Sequence, residues 1–307
     1  MHNTSTSHAQ SQWRGTLLVT LSGMLYGMIG YLGTKLMDED FTVSSMLFWR
    51  FLIAAVWMLV SISLFKREKP LTNNSSKLMN LILFGALTYS GGSAFYFVAT
   101  QYIGTGVGMV IFFSFPVYVT LFAWALSGWK MSLQAFISLM AVVLGLFFLK
   151  GHGDAQLNVI GILFALAAAF CYGVYVYGSR HSAKMIDSRL LTLLICLGNT
   201  IIFLIVACMS GSFVFPMTLK AWFYICALGI LATAIPIQLL LDGLKYISPV
   251  KASILSVFEP VITVLLGLIL LDEKLTFMQT MGILIVLSGA ILIQFERTAE
   301  SSNKKLN

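Results

Sequence analysis

Tyr246-Ile247-Ser248-Pro249-Val250-Lys251-Ala252-Ser253-Ile254-Leu255, with Phe258-Glu259-Pro260-Val261 just after it, is the stretch that decides the fold, because part of it occurs twice. Sliding the chain on itself by 144 positions pairs Tyr102 with Tyr246, Ile103 with Ile247 and Pro116 with Pro260. The same shift pairs Gly85 with Gly229, Lys130 with Lys274 and Gly145 with Gly289. A shift of 146 pairs Gly15 with Gly161, Tyr26 with Tyr172 and Gly27 with Gly173, so the register drifts by two residues over the earlier segments. Chance sharing of glycine and leucine between apolar helices does not hold a Tyr-Ile pair, prolines and glycines in one register; the pattern marks an internal duplication.

Composition sets the solvent in which the two copies fold. Of 307 residues, 58% are hydrophobic and 10% are charged, against about a quarter charged in a soluble domain. A helix needs about 20 mainly apolar residues to cross the hydrocarbon core. Ten such segments run approximately over 16–36, 43–65, 78–98, 104–126, 132–150, 157–178, 189–210, 218–241, 251–271 and 277–295. The expected fold is an all-α integral membrane protein of ten transmembrane helices in two inverted five-helix repeats. The repeats occupy 14–150 and 151–295, between terminal tails over 1–13 and 296–307. Five is odd, so the second copy enters the membrane from the opposite face. Such inverted repeats let a carrier expose one central site alternately to each side.

The net charge of +7 does not indicate nucleic acid, since Lys and Arg fall in short clusters between apolar runs and not along one basic face. With a cytoplasmic N-terminus, the cytoplasmic segments collect fourteen basic residues: Arg14, Lys66, Arg67, Lys69, Lys77, Lys130, Arg180, Lys184, Arg189, Lys245, Lys251, Arg297, Lys304 and Lys305. The other side receives four, Lys35, Lys150, Lys220 and Lys274. This asymmetry predicts a multi-pass protein of the cytoplasmic (inner) membrane with both termini cytoplasmic. Cys171, Cys196, Cys208 and Cys226 lie in apolar stretches without C-x-x-C spacing and read as small core residues. No metal or other cofactor is implied. The polar stretch Met1 to Trp13 lacks a cleavage-site pattern, so the first helix is expected to be retained.

Ionisable side chains at membrane depth cost about 2.5 to 3.5 kcal/mol on insertion scales, which makes each one a functional candidate. Arg50 stands about a third of the way into the second span, between Trp49 and Phe51; Glu259 stands near the middle of the ninth, before Pro260. Glu259 reads either as a proton-linked or ammonium-binding group, or as a structural acid bonded to backbone freed by Pro260 or paired with Arg50. Arg50 reads as a carboxylate ligand or as part of a Trp-Arg-Phe anchor. Polar and aromatic residues at helical spacing share single faces: Tyr26, Gly30 and Thr34; Tyr89, Ser93 and Tyr96; Tyr172, Tyr175 and Ser179; Ser253, Ser256 and Glu259. One such stripe alone is the signature of helix packing in lipid. Their recurrence in both halves predicts a cavity lined by Tyr26, Tyr89, Ser93, Tyr96, Tyr172, Tyr175, Ser253 and Ser256 around Arg50 and Glu259. Gly23, Gly27, Gly30 and Gly33 predict close packing of the first span, and Pro116, Pro236 and Pro260 predict bends. Pro116 and Pro260, being repeat mates, are expected to mark the hinge.

The residues that carry the repeat resemble the EamA-type branch of the drug/metabolite transporter superfamily, over about residues 14–295. In that family each half ends with a Pro-containing helix, a short turn holding an acidic and a basic residue, and a Gly-rich last helix. The second half follows the pattern with Glu259-Pro260, Asp272-Glu273-Lys274, Gly282 and Gly289. The first half departs from it, with Phe115-Pro116 and Gly128-Trp129-Lys130 at the equivalent places, so only one half offers the intramembrane acid. The resemblance implies an inner-membrane carrier of small metabolites, often amino acids, and commonly an exporter.

Other chemistries find less support. Gly151-His152-Gly153-Asp154 fits the G-x-G-D string of intramembrane aspartyl proteases but lies in a loop, and Asp242, the only other candidate acid, sits at a helix end. Gly104-Thr105-Gly106-Val107-Gly108 opens a span with no strand before it, and neither a Walker A sequence nor H-E-x-x-H occurs. The expectation is a secondary carrier and not an enzyme. Its expected partners are the lipid bilayer and a small amphipathic or zwitterionic metabolite, an amino acid or related compound, with export as the expected direction. Uptake of a vitamin or cofactor precursor is the alternative, with a membrane-embedded enzyme as a remote one, and the carrier is expected to be a monomer or homodimer.

Overall fold

Hydrocarbon offers backbone amides no water to bond, so each spanning segment must satisfy its own. Residues 2–64, 75–149, 158–270 and 276–293 are described by the computed structural model, and every regular element among them is helical. In chain order these are α1 (His2–Tyr26), α2 (Met28–Met37), α3 (Val43–Leu64), α4 (Ser75–Phe112), α5 (Phe115–Ser127), α6 (Leu133–Leu149) and α7 (Val159–Met185). Then come α8 (Ser188–Met209), α9 (Leu219–Gly229), a π-turn (Ile230–Ala234), α10 (Ile235–Leu244), α11 (Pro249–Leu255), α12 (Phe258–Leu270) and α13 (Phe277–Leu292). Gly151-His152-Gly153-Asp154, Asp272-Glu273-Lys274 and the terminal tail from residue 294 lie outside the described residues.

Among the described residues, eight helical stretches are long and apolar enough to cross a bilayer: Gln10–Met37, Val43–Leu64, Met79–Ile103, Gly108–Ser127, Val159–Met185, Ser188–Met209, Leu219–Leu244 and Pro249–Gly267. Two shorter apolar helices, Leu133–Phe148 and Thr280–Leu292, stand where the fifth and tenth spans are expected. The molecule is thus a multi-pass membrane protein of about ten helices. Phe136, Ile137, Met140, Leu144 and Phe147 of α6 are exposed, as are Leu284 and Ile291 of α13; in water a patch of this kind would be an aggregation liability, whereas lipid accepts it. Cys208, read from sequence as a core residue, is exposed at the end of α8, while Cys196 is buried.

α4 unites the predicted third and fourth spans, yet the chain doubles back within it. A Cβ built on Gly108 would lie 3.9 Å from the Thr100 Cα, whereas eight residues of straight helix rise about 12 Å. Helix α4 runs along α7, α3 along α8, α1 along α10 and α6 along α13.

The glycines that hold the repeat in register sit at joints between the halves, and the joints are reciprocal. A Cβ on Gly15 would meet Tyr246 Cβ at 2.7 Å and Ile247 Cγ2 at 2.9 Å; on Gly161 it would meet Tyr102 Cβ and Ile103 Cγ2, each at 2.7 Å. On Gly27 it would meet Ile262 and the Glu259 carbonyl, and on Gly173 the repeat mates of these, Tyr118 and the Phe115 carbonyl. Gly145 and Gly289 close the crossing of α6 and α13 from its two sides, against Val286 and Val142. Each half therefore presents to the other the surface that the other presents to it, as a two-fold axis between them requires.

Four spans are not single helices. The first is interrupted at Gly27, the fourth at 113–114, the ninth at 256–257, and the eighth widens into the π-turn. Pro116 is the second and Pro260 the third residue of the helix that follows a break, both in the first turn, where the missing N–H has no intrahelical partner to lose. Pro236 accounts for the π-turn: it cannot donate to the carbonyl four residues earlier, and its ring crowds that carbonyl.

Candidate functional site

The breaks in the first and ninth spans meet at the centre. The Thr263 hydroxyl lies 3.1 Å from the Gly27 carbonyl and 3.0 Å from the Glu259 carbonyl, so it ties one interruption to the other. Beside them is a cavity of about 200 Å³. Its wall is formed by Tyr26, Gly30 and Thr34 of the first span, Met46 and Arg50 of α3, Tyr89, Ser93, Tyr96, Phe97 and Phe112 of α4, Tyr172 of α7, and Glu259 and Thr263 of α12.

Two of the four predicted stripes face this cavity complete, Tyr26/Gly30/Thr34 and Tyr89/Ser93/Tyr96. Of the α7 stripe only Tyr172 reaches it; Tyr175 packs behind, its ring centroid 5.0 Å from that of Tyr89 and edge-on to it, and Ser179 is buried elsewhere. Of the ninth-span stripe only Glu259 reaches it. Helical spacing does not carry across the break at 256–257, so Ser253 of α11 and Ser256, which caps that helix, donate back into it, to the Val250 and Ala252 carbonyls.

Tyr26, Tyr89, Tyr172 and Tyr175 form one aromatic cluster at the inner end of the cavity. The Tyr89 hydroxyl donates to Tyr26 over 3.3 Å, and Tyr172 meets Phe115 edge-on with centroids 4.8 Å apart. Away from this cluster the cavity runs toward the α2–α3 and α8–α9 connections. There it meets a wider hollow of about 620 Å³ lined by Thr42, Ser44, Gln101, Phe203 and Ser212. Met37 and Phe97 border both spaces. Among the described residues, the central site thus adjoins a hollow on the side of the α2–α3 and α8–α9 connections.

Trp49 and Arg50 divide the two roles that the Trp-Arg-Phe string suggests. The Trp49 indole donates to the Val214 carbonyl at 2.9 Å and packs against Phe48, Phe213, Phe215 and Trp222, which anchors the α8–α9 connection. Arg50, one residue on, turns inward, is 3% exposed and donates through Nε to Thr233 Oγ1 at 2.6 Å. Glu259 lies in the first turn of α12. No Arg50–Glu259 ion pair closer than 4.0 Å occurs among the described residues. A guanidinium and a carboxyl group thus line one small cavity with no ion pair between them.

Beside this hollow the α8–α9 connection is fastened to the first half by a row of polar contacts. Thr42 and Ser45 donate to the Ser212 carbonyl at 2.6 and 2.9 Å, Ser44 and Ser212 share a hydroxyl contact at 2.7 Å, and the Val214 amide donates to Ser45 at 2.7 Å. Glu39 completes the row with a 2.7 Å ion pair to Lys220 and a 2.9 Å bond from Thr218. The Lys220 ammonium, and secondly the Thr218 hydroxyl, hold the Glu39 carboxyl below the usual carboxylate range. Neither this fastening nor Thr233 is evident from sequence, since short Ser/Thr runs in turns signal only turn structure.

Comparison with known proteins gives this arrangement its family. The EamA-like transporter family model matches residues 13–150 and again 159–295. The uncharacterized transporter YcbK of Bacillus subtilis is 26% identical over 196 residues, 61% of this chain and 62% of that one. The threonine/homoserine exporter RhtA of Escherichia coli is 25% identical over 232 residues, 74% of this chain and 75% of that one. A solved crystal structure superposes with a TM-score of 0.78 at 18% identity, covering 95% of this chain and 99% of its own, a likeness of fold. With both halves matched by one family model, the chain belongs to the EamA-like transporter family.

Proposed function

We propose that this transporter is a secondary carrier for a small zwitterionic metabolite, an amino acid or close relative, moved by alternating access across the cytoplasmic membrane. One observation carries the reading: Arg50 and Glu259 line the same cavity of about 200 Å³ and form no direct pair. Charges withdrawn from water are normally paired, because leaving a partner out costs about 3–5 kcal/mol. A bound zwitterion supplies both partners at once, its carboxylate to Arg50 and its ammonium to Glu259. In its absence Glu259 takes a proton, which couples transport to the proton gradient. The rings of Tyr26, Tyr89, Tyr96 and Tyr172 cover the apolar remainder and offer faces to the ammonium. Pro116 and Pro260, at the starts of equivalent half-helices, serve as hinges between the halves.

The excess of basic residues on one set of connections favours cytoplasmic termini, and the single Arg at membrane depth argues against phosphorylated substrates. Export is the direction we favour, in keeping with the name of the RhtA relative. Purified protein in liposomes, loaded with a panel of unlabelled amino acids and given labelled L-threonine outside, tests this. Saturable counterflow that L-threoninamide and L-threonine's decarboxylated analogue fail to elicit is expected. Non-saturating leakage, or equal counterflow by acid and amide, would exclude a carboxylate site at Arg50.

A further inference from the structure

A guanidinium presents five N–H donors in a fixed fork, and which edge of the fork is free decides how a carboxylate can approach. In Arg50 one edge is already in use. Its Nε donates to Thr233 Oγ1 at 2.6 Å, and the Thr233 hydroxyl spends its own proton on the Leu228 carbonyl at 2.7 Å. Toward Arg50 that oxygen is left as an acceptor, which is what an N–H requires. Leu228 is five residues before Thr233, the spacing of a π-turn; in an ordinary helix the hydroxyl would reach the carbonyl four back and Oγ1 would point elsewhere. The α3 backbone is held against this turn by Gly229, where a Cβ would come within 3.0 Å of the Arg50 carbonyl and 2.7 Å of Ile53 Cβ. Thr233 is fully buried and Arg50 is 3% exposed, so bulk water does not substitute for the bond.

We infer that Thr233 is a positioning residue, which clamps the Nε edge of Arg50 so that only Nη1 and Nη2, side by side, meet a substrate carboxylate. The inference rests on the reading of Arg50 as the carboxylate ligand and adds to it the element that orients the fork. It also places the orienting group in the half opposite to the ligand. Arg50 belongs to α3 and Thr233 to the widened turn of the eighth span, so movement of one half against the other re-aims the guanidinium.

The test uses the full chain in liposomes with labelled L-threonine as probe and L-threoninamide as competitor. Thr233→Val keeps the shape and removes the acceptor, and Thr233→Ser keeps the acceptor. Thr233→Val is expected to raise KM for L-threonine about tenfold with kcat within about twofold, and to erase most of the preference for acid over amide. Thr233→Ser is expected to retain both parameters within about twofold. A Thr233→Val protein that prefers acid over amide as strongly as the wild type overturns the inference while leaving the zwitterion site standing. A wild type that ignores the distinction sinks the site itself. A transport-independent arm is the thermal midpoint in detergent of Thr233→Val, Arg50→Met and the double variant. The loss caused by Thr233→Val is expected to vanish in the Arg50→Met background, and additive losses would show that the two side chains are not coupled.

Discussion

Phe115-Pro116 and Glu259-Pro260 stand in the first turns of equivalent helices, each helix following a two-residue interruption, and the Phe115 and Glu259 carbonyls are backed onto glycines of the opposite half, Gly173 and Gly27. One pair is apolar and packs against Tyr172; the other carries the acid of the central cavity. Arg50 shows the same contrast in reverse, since the positions 144 to 146 residues downstream are Leu194, Ile195 and Cys196. The frame is thus written twice and each charge once. A duplicated frame needs both copies of every joint, because the joint is made by one half with the other. A site that binds one asymmetric molecule needs each charge in a single place, and a second carboxylate or guanidinium at membrane depth would cost about 2.5–3.5 kcal/mol with nothing to neutralise it.

The largest effect should come from the unduplicated side of this comparison. Glu259→Gln is expected to remove the pH dependence of transport and to weaken an ammonium-bearing substrate by about 2 kcal/mol or more, roughly thirtyfold in KM, while the protein stays folded. Unaltered pH–rate profiles in proteoliposomes would contradict a coupling role. Next in size are the joints. Gly145→Leu and Gly289→Leu should each lower stability by about 1–3 kcal/mol through overpacking of the α6–α13 crossing, and by similar amounts because the contacts are mates. Thermal midpoints differing widely between the two would break the reciprocity. Smaller again, Pro116→Ala and Pro260→Ala should both slow turnover several-fold without changing KM, since each restores a donor at a helix start and stiffens the break; a single-turnover assay with undiminished rates in both would remove the hinge.

The smallest effect is expected at Glu39. Its carboxyl is held low by Lys220 and Thr218, so the contribution of the fastening is present above the ordinary glutamate range and is lost as pH falls through the depressed value. Glu39→Gln and wild type should therefore differ slightly in thermal midpoint at neutral pH and converge in acid; a difference that grows on acidification would give the wrong sign.

How much of this is legible in the residues follows from the same division. The repeat could be read because a joint where a Cβ would stand 2.7 Å from its neighbour admits glycine alone, and such constraints survive in both copies. The ten apolar segments and the convergence of Tyr26, Tyr89, Tyr96, Tyr172, Arg50 and Glu259 were likewise visible, through length and helical spacing. The interruptions are legible only in part. Pro116 and Pro260 predict bends, but apolar periodicity runs through Gly27, 113–114 and 256–257 without fixing where the helix stops, so helical spacing puts Ser253 and Ser256 in one stripe with Glu259 although the break separates them. Thr233 left no signal of its own within Ile-Leu-Ala-Thr-Ala; only Pro236, three residues on, indicated that the helix could not continue unaltered.

The reciprocal joints also bear on how such proteins can be recombined. A chimera joining residues 13–150 of this chain to the C-terminal portion of a relative would carry Gly15 and Gly27 without the Tyr246-Ile247 and Ile262 surfaces they were fitted to, and Tyr102-Ile103 without Gly161. Half-swaps should fail at several contacts simultaneously, so exchangeable parts are to be sought among the cavity-lining side chains, with both halves of the frame inherited together.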